Sequence, residues 1–70
     1  MIPLLFSNVG EVNIIKKVGG KPEVKKHLEN LGFVPGEQIV VVSRIGGNLI
    51  VNVKGSRVAL SSELAKHITV

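Results

Sequence analysis

Of the side chains able to take part in chemistry, the sequence offers His27, His67, Glu29 and Glu63 as hard or borderline metal ligands, and little beyond them. Such donors hold a divalent transition metal (Fe, Mn or Zn) when an acidic loop or a helical i, i+4 pair gathers several of them. Here the two histidines stand forty residues apart and no such arrangement is written into the chain. His27, His67 and Glu63 are therefore weak metal candidates that only folding could assemble. The plainer reading makes His27 a core-edge residue of a helix and His67 a strand residue beside the C-terminus. Hydrolysis or phosphoryl transfer needs a positioned nucleophile, base and charge stabiliser. A chain with no Asp, no Cys, no Tyr and two His is poorly equipped for it, so no catalytic residues are expected. There is no G-x-x-x-x-G-K-[ST] stretch, and Gly19-Gly20-Lys21 reads as a strand-to-helix turn.

Charge is the stronger signal. Lys16, Lys17, Lys21, Lys25 and Lys26 fall within eleven residues that contain one acid, Glu23, in a chain of net charge +4. Such a cluster either attracts an acidic partner or anionic lipid headgroups, or is a solvated face that keeps the protein soluble. Nucleic acid is a further class of acidic partner, since small basic barrels bind RNA. Binding single strands also takes exposed aromatic rings, and Phe6 and Phe33 are both expected to be buried. Nucleic acid is accordingly disfavoured.

The elements that carry these residues follow from composition and punctuation. Seventy residues suit one domain, 1–70, with one core, and the absence of cysteine leaves packing or self-association to stabilise it. The apolar fraction is 44% with two Phe and no Tyr or Trp, so the core is aliphatic and favours strands. No apolar run is long enough to span a membrane and the opening MIPLLFSNVG lacks signal-peptide features, so a cytoplasmic location without membrane insertion is expected.

Residues 11–18, EVNIIKKV, read as a half-buried strand with Val12, Ile14 and Val18 facing inward. Pro22 and Glu23 then open a helix over about residues 22–31 whose buried face is Val24, His27, Leu28 and Leu31. Gly32 suits a left-handed C-cap, Phe33 and Val34 tuck under the helix end, and Pro35-Gly36 suits a type II turn. Three strands follow, IVVVSRI, LIVNV and RVAL, joined at Gly46-Gly47 and at Gly55-Ser56. That spacing sets Val40, Val42, Val51, Val53, Val58 and Leu60 on one inner face, and a slip of two residues would preserve it. Ser61 or Ser62 caps a helical turn, and residues 67–70 form a last strand that pairs with the first. The expected architecture is mainly β: a small five-stranded barrel with one inserted helix.

That pattern leaves Ile39, Val41, Ile45 and Ile50 on the outside, beside Ser43, Asn48 and Asn52. Either the helix and the MIPLLF segment cover them, or part of this surface docks a partner. Lys16, Lys17, Lys25, Lys26, Ile45 and Ile50 are the interface candidates. A homo-oligomer using the same surfaces is the alternative.

Four stretches, in order, carry a family resemblance: Gly10 to Ile14, the corner HLENLGFVPG at 27–36, the hairpin GGNLIV at 46–51, and Val58-Ala59-Leu60 with Ala65 and the closing Ile68-Thr69-Val70. From about residue 3 to 70 the chain resembles the FeoA family, the small accessory proteins of bacterial ferrous iron transport. It is also similar to the related module of metal-dependent repressors of the diphtheria-toxin-repressor type. The resemblance implies an SH3-like barrel without enzymatic activity that acts beside FeoB, a membrane transporter with a cytoplasmic GTP-binding domain. Two positions depart from the family pattern. His27 stands where Arg is frequent, and Glu63 is followed by Leu64 where the acid more often directly precedes the Ala.

Overall fold

The computed structural model describes residues 2–70. A 3-10 turn at Leu4–Phe6 precedes β1 (Val12–Ile14), β2 (Lys17–Val18), α1 (Pro22–Asn30), β3 (Gln38–Ile45), β4 (Asn48–Val53), β5 (Ser56–Ser61), α2 (Ser62–Ala65) and β6 (Ile68–Thr69). The strands form two sheets, one in the order β1-β3-β4-β5 and one pairing β2 with β6, all antiparallel. The expected five strands are thus six among the described residues. The expected pairing of the chain ends is present, with Val18 opposite Ile68 and Ile2 and Val70 exchanging two backbone hydrogen bonds of 2.9 and 2.8 Å.

The extra strand arises because EVNIIKKV does not run straight. Its first half pairs with β3, Ile15 exchanges backbone bonds with Glu37 and Gly36, and the Lys16 N–H turns to the Thr69 carbonyl at 2.7 Å. The chain changes sheets at that corner, so alternation does not carry across it. Ile15 and Val18 are buried, whereas Val12 and Ile14, expected inside, are exposed.

A second correction concerns β3. From Ile45↔Asn48 to Ser43↔Ile50 the pairing follows the Gly46-Gly47 turn, then resumes as Val41↔Val51 with Val42 unpaired. One extra residue of this kind is a β-bulge, and it reverses which positions face the core beyond it. Ile39 and Val41 are fully buried, while Val40 and Val42, expected in the core, are half-buried. Two of the four supposed outward apolar residues, Ile39 and Val41, are therefore core.

The second hairpin turns on Lys54-Gly55, one residue earlier than expected, with positive φ at both positions (51° and 74°), as a type I′ turn requires. The register slides by two and keeps the face: Val51 sits opposite Val58 and Leu49 opposite Leu60. The slide brings Leu49, which the other register leaves beyond the end of β5, into the core.

The helix-to-sheet corner matches its reading. Gly32 has φ 103°, its N–H bonds the Glu29 carbonyl at 3.0 Å, and the Phe33 N–H bonds the Leu28 carbonyl at 3.0 Å. That bonding pattern is a Schellman motif, whose apolar pair is Leu28 and Phe33, both fully buried. Gly36, at φ 92°, closes the next turn through a Glu37 N–H to Val34 carbonyl bond of 3.2 Å. Burial of each such large side chain contributes about 1.5–3 kcal/mol.

Candidate functional site: an outer sheet face and a basic helix

On an antiparallel pair, directly opposed residues share a face, so the register defines the outer surface of the four-stranded sheet. Val12, Val40, Asn52 and Arg57 form one row across it, Ser43, Ile50 and Ala59 another, and Ile45, Asn48 and Ser61 a third, with Ile14 beside Gln38 at the β1 edge. Val12 is 57% exposed, Ile14 42% and Ile45 65%, while Val40 and Ile50 are half-buried. Of the two isoleucines nominated from the sequence, Ile45 stands in the open at the Gly46-Gly47 turn and Ile50 in the middle of the face. Val12, Ile14 and Val40 were missed, because the bulge and the sheet switch leave no mark in the hydrophobic pattern.

The basic residues occupy different elements. Lys17 lies on β2, Lys16 just before it, Lys21 at the N-cap of α1, and Lys25 and Lys26 on the helix, all exposed. The ion pairs among the described residues join Lys54 to Glu37 at 3.9 Å and Lys66 to Glu63 at 3.0 Å. The five lysines from 16 to 26 have no carboxylate partner there. Lys21 sits at the helix N-terminus, whose partial positive charge adds to its own. Only Glu23 in the first turn opposes it. The helix lies high on the domain: Leu28 is buried and Val24 half-buried, but His27 and Leu31, assigned to its inner face, are exposed. The lysines and the isoleucines thus belong to separate sheets and flanking elements. No hydrogen bond or ion pair between described residues joins the two groups.

Phe6 also departs from expectation. Its 3-10 turn is fixed by the Phe6 N–H to Pro3 carbonyl bond at 3.0 Å and by Ser7, whose N–H and hydroxyl both donate to the Leu4 carbonyl. The Arg44 guanidinium donates to the Ser7 carbonyl and ties the turn to β3. Leu4 points into the core and leaves Phe6 69% exposed. Phe33 alone fulfils the burial expected of both rings.

The metal candidates do not converge. No group of three or more His, Cys, Asp or Glu comes together among the described residues. His27 is exposed on α1, and Glu63 is exposed on α2 and paired with Lys66. The half-buried ring of His67 lies 3.4 Å from where a Cβ on Gly20 would stand, so it packs against the β2–α1 connection. As placed, these side chains do not fit a metal centre. No pocket forms among the described residues either.

The FeoA domain family matches the chain over residues 2–70. This chain belongs to the FeoA family. It is 33% identical over 70 residues to a protein of Methanocaldococcus jannaschii named as Fe(2+) transport protein A, covering 100% of this chain and 85% of that one. Among solved structures it resembles the FeoA of Stenotrophomonas maltophilia complexed with zinc, described as a prokaryotic SH3 domain protein. That likeness has a TM-score of 0.86 at 25% identity, covering 99% of this chain and 88% of the other. A manganese-dependent transcriptional repressor shares the fold, with a TM-score of 0.86 at 19% identity, over 94% of this chain and 38% of its own. The fold is therefore SH3-like and mainly β, and the protein is a FeoA-family member of ferrous iron transport. None of the helices among the described residues is long and apolar enough to cross a membrane.

Proposed function

We propose that this FeoA-family chain is a non-enzymatic, cytoplasmic accessory protein that docks on the cytoplasmic GTP-binding part of a FeoB transporter and supports ferrous iron uptake. The observation that carries the reading is the outer face of the four-stranded sheet, where Val12, Ile14 and Ile45 are exposed around half-buried Val40 and Ile50. Apolar surface of this kind marks a site of association. Lys16, Lys17, Lys25 and Lys26, free of ion pairs among the described residues, would steer an acidic partner, an effect felt in the association rate more than in affinity.

The test is a binding titration of the pure chain against the soluble GTP-binding domain of the transporter, with and without GTP and Fe(II). Saturable binding is expected, with loss of at least about tenfold in affinity for Ile45→Glu, at a position 65% exposed where the exchange leaves the fold intact. Replacing the four lysines with Glu should slow association and reduce its salt dependence. No binding under any of these conditions, or unchanged binding by Ile45→Glu and the lysine variant together, refutes the reading. A tight nucleic-acid complex near physiological salt, using exposed Phe6 as a stacking ring, would replace it with the nucleic-acid alternative.

A further inference from the structure

The six residues of β5 form the long open edge of the four-stranded sheet. The Ser62 N–H bonds the Gly47 carbonyl at 2.9 Å, which marks that opposed pair as hydrogen-bonded. Antiparallel pairs alternate, so Leu60, Val58 and Ser56 also bond to β4, while the backbone groups of Arg57, Ala59 and Ser61 point away from it. No other backbone hydrogen bond among the described residues reaches the N–H of these three or the carbonyls of Arg57 and Ala59. The Ser61 carbonyl is engaged differently, since Ser61 is the N-cap of α2.

Open edges of this length are normally blunted by Pro, a bulge, brevity or inward charge. β1, at the other edge, has three residues; β5 has six, no proline and no bulge. Its single charge, Arg57, lies on the outer face. α2 packs back on β4, β5 and the 3-10 turn, and Ala59 in mid-edge is exposed.

We infer that this edge pairs with the same edge of a second copy, making one antiparallel sheet of eight strands across a two-fold axis at Ala59. The parity singles out that register. With Ala59 opposite Ala59, Arg57 faces Ser61 of the second copy and all three outward donors meet a strand. Four bonds form to free carbonyls: Ala59 to Ala59 in both directions, and each Ser61 N–H to the other copy's Arg57 carbonyl. Sliding by two residues sets Ser61 or Arg57 against a turn or a helix instead. Charge agrees, because the two Arg57 positions lie about 14 Å apart along the strands, beyond the ~8 Å screening length at physiological salt. On the inner face, half-buried Val58 comes to stand opposite Leu60 of the second copy. This inference is independent of the transporter reading.

Sedimentation equilibrium of the intact chain, with amide hydrogen exchange at several protein concentrations, tests it. The wild type should show a monomer–dimer equilibrium in which the amides of Arg57, Ala59 and Ser61 gain protection as concentration rises, while Val58 and Leu60 are protected throughout. Ala59→Lys, which sets two charges on the axis, and Ala59→Pro, which removes the central donor at an edge position where proline is tolerated, should each weaken dimerisation at least about tenfold with the circular dichroism spectrum unchanged. If Ala59→Pro fails to fold, Ala59→Lys decides alone. A wild type that is monomeric at every concentration overturns the proposal. So does a dimer that persists in the folded variants, or one in which those three amides stay unprotected.

Discussion

Gly32 offers a clean separation of backbone strain from crowding. Its φ of 103° lies where an L side chain is strained. Yet a Cβ built there would meet Lys54 Cδ at 3.6 Å, Lys54 Cγ at 3.9 Å and Val53 Cγ1 at 3.9 Å, all ordinary contacts. Gly32→Ala should therefore cost the conformational term, about 1–2 kcal/mol, with no added clash. In a domain of this size 1 kcal/mol corresponds to about 4–8 °C in Tm, so the expected loss is roughly 5–15 °C. D-alanine at the same position, accessible by chemical synthesis of a short chain, prefers positive φ and restricts the unfolded state. It should stabilise by about 0.4–1 kcal/mol. Gly47→Ala, at a position without positive φ and with nothing within 4 Å, is the control and should be nearly neutral. Urea and thermal unfolding of all three measure the gap. Destabilisation by D-alanine equal to that by L-alanine at position 32 would mean that the dihedral does not set the cost, and would refute the reasoning.

The bulge at Val42 makes Val41→Thr the damaging exchange of two neighbours: burying its hydroxyl should cost about 1–3 kcal/mol, while Val40→Thr on the half-buried outer face should cost less than about 1 kcal/mol in the same denaturant titration. Ser61 accepts the Leu64 N–H at 3.3 Å as the N-cap of α2. Ser61→Ala should lose about 0.5–2 kcal/mol and Ser61→Thr should keep most of it, as read by Tm. Because His27, His67 and Glu63 do not gather, saturating Fe(II), Mn(II) or Zn(II) is expected to leave the melting temperature unchanged, and a rise abolished by His67→Ala would refute that.

The residues at 27–36 show what local chemistry can specify. Gly32 where a helix must end and Pro35-Gly36 where a turn must follow are requirements of backbone geometry, and the structure meets both through Gly32, Phe33 and Gly36. The helix from Pro22, the capped turn after Ser61 and the closing strand were legible for the same reason: their signals lie within a few residues of one another. The candidate site was legible in part. The exposed lysines follow from composition alone, and Ile45 from its place beside a two-residue turn.

What the sequence determined by itself was the helix, the two hairpins and the closing strand, their aliphatic core, their surplus of positive charge and the family to which they belong. Which residues face inward was decided by tertiary structure at two points, the sheet change at Ile15–Lys16 and the unpaired Val42. The reason is that strand alternation has a period of two, so one added or displaced residue reverses every position beyond it. Whether a run such as IVVVS carries a bulge depends on what pairs along both its edges. That is a property of β1 and β4 as much as of β3.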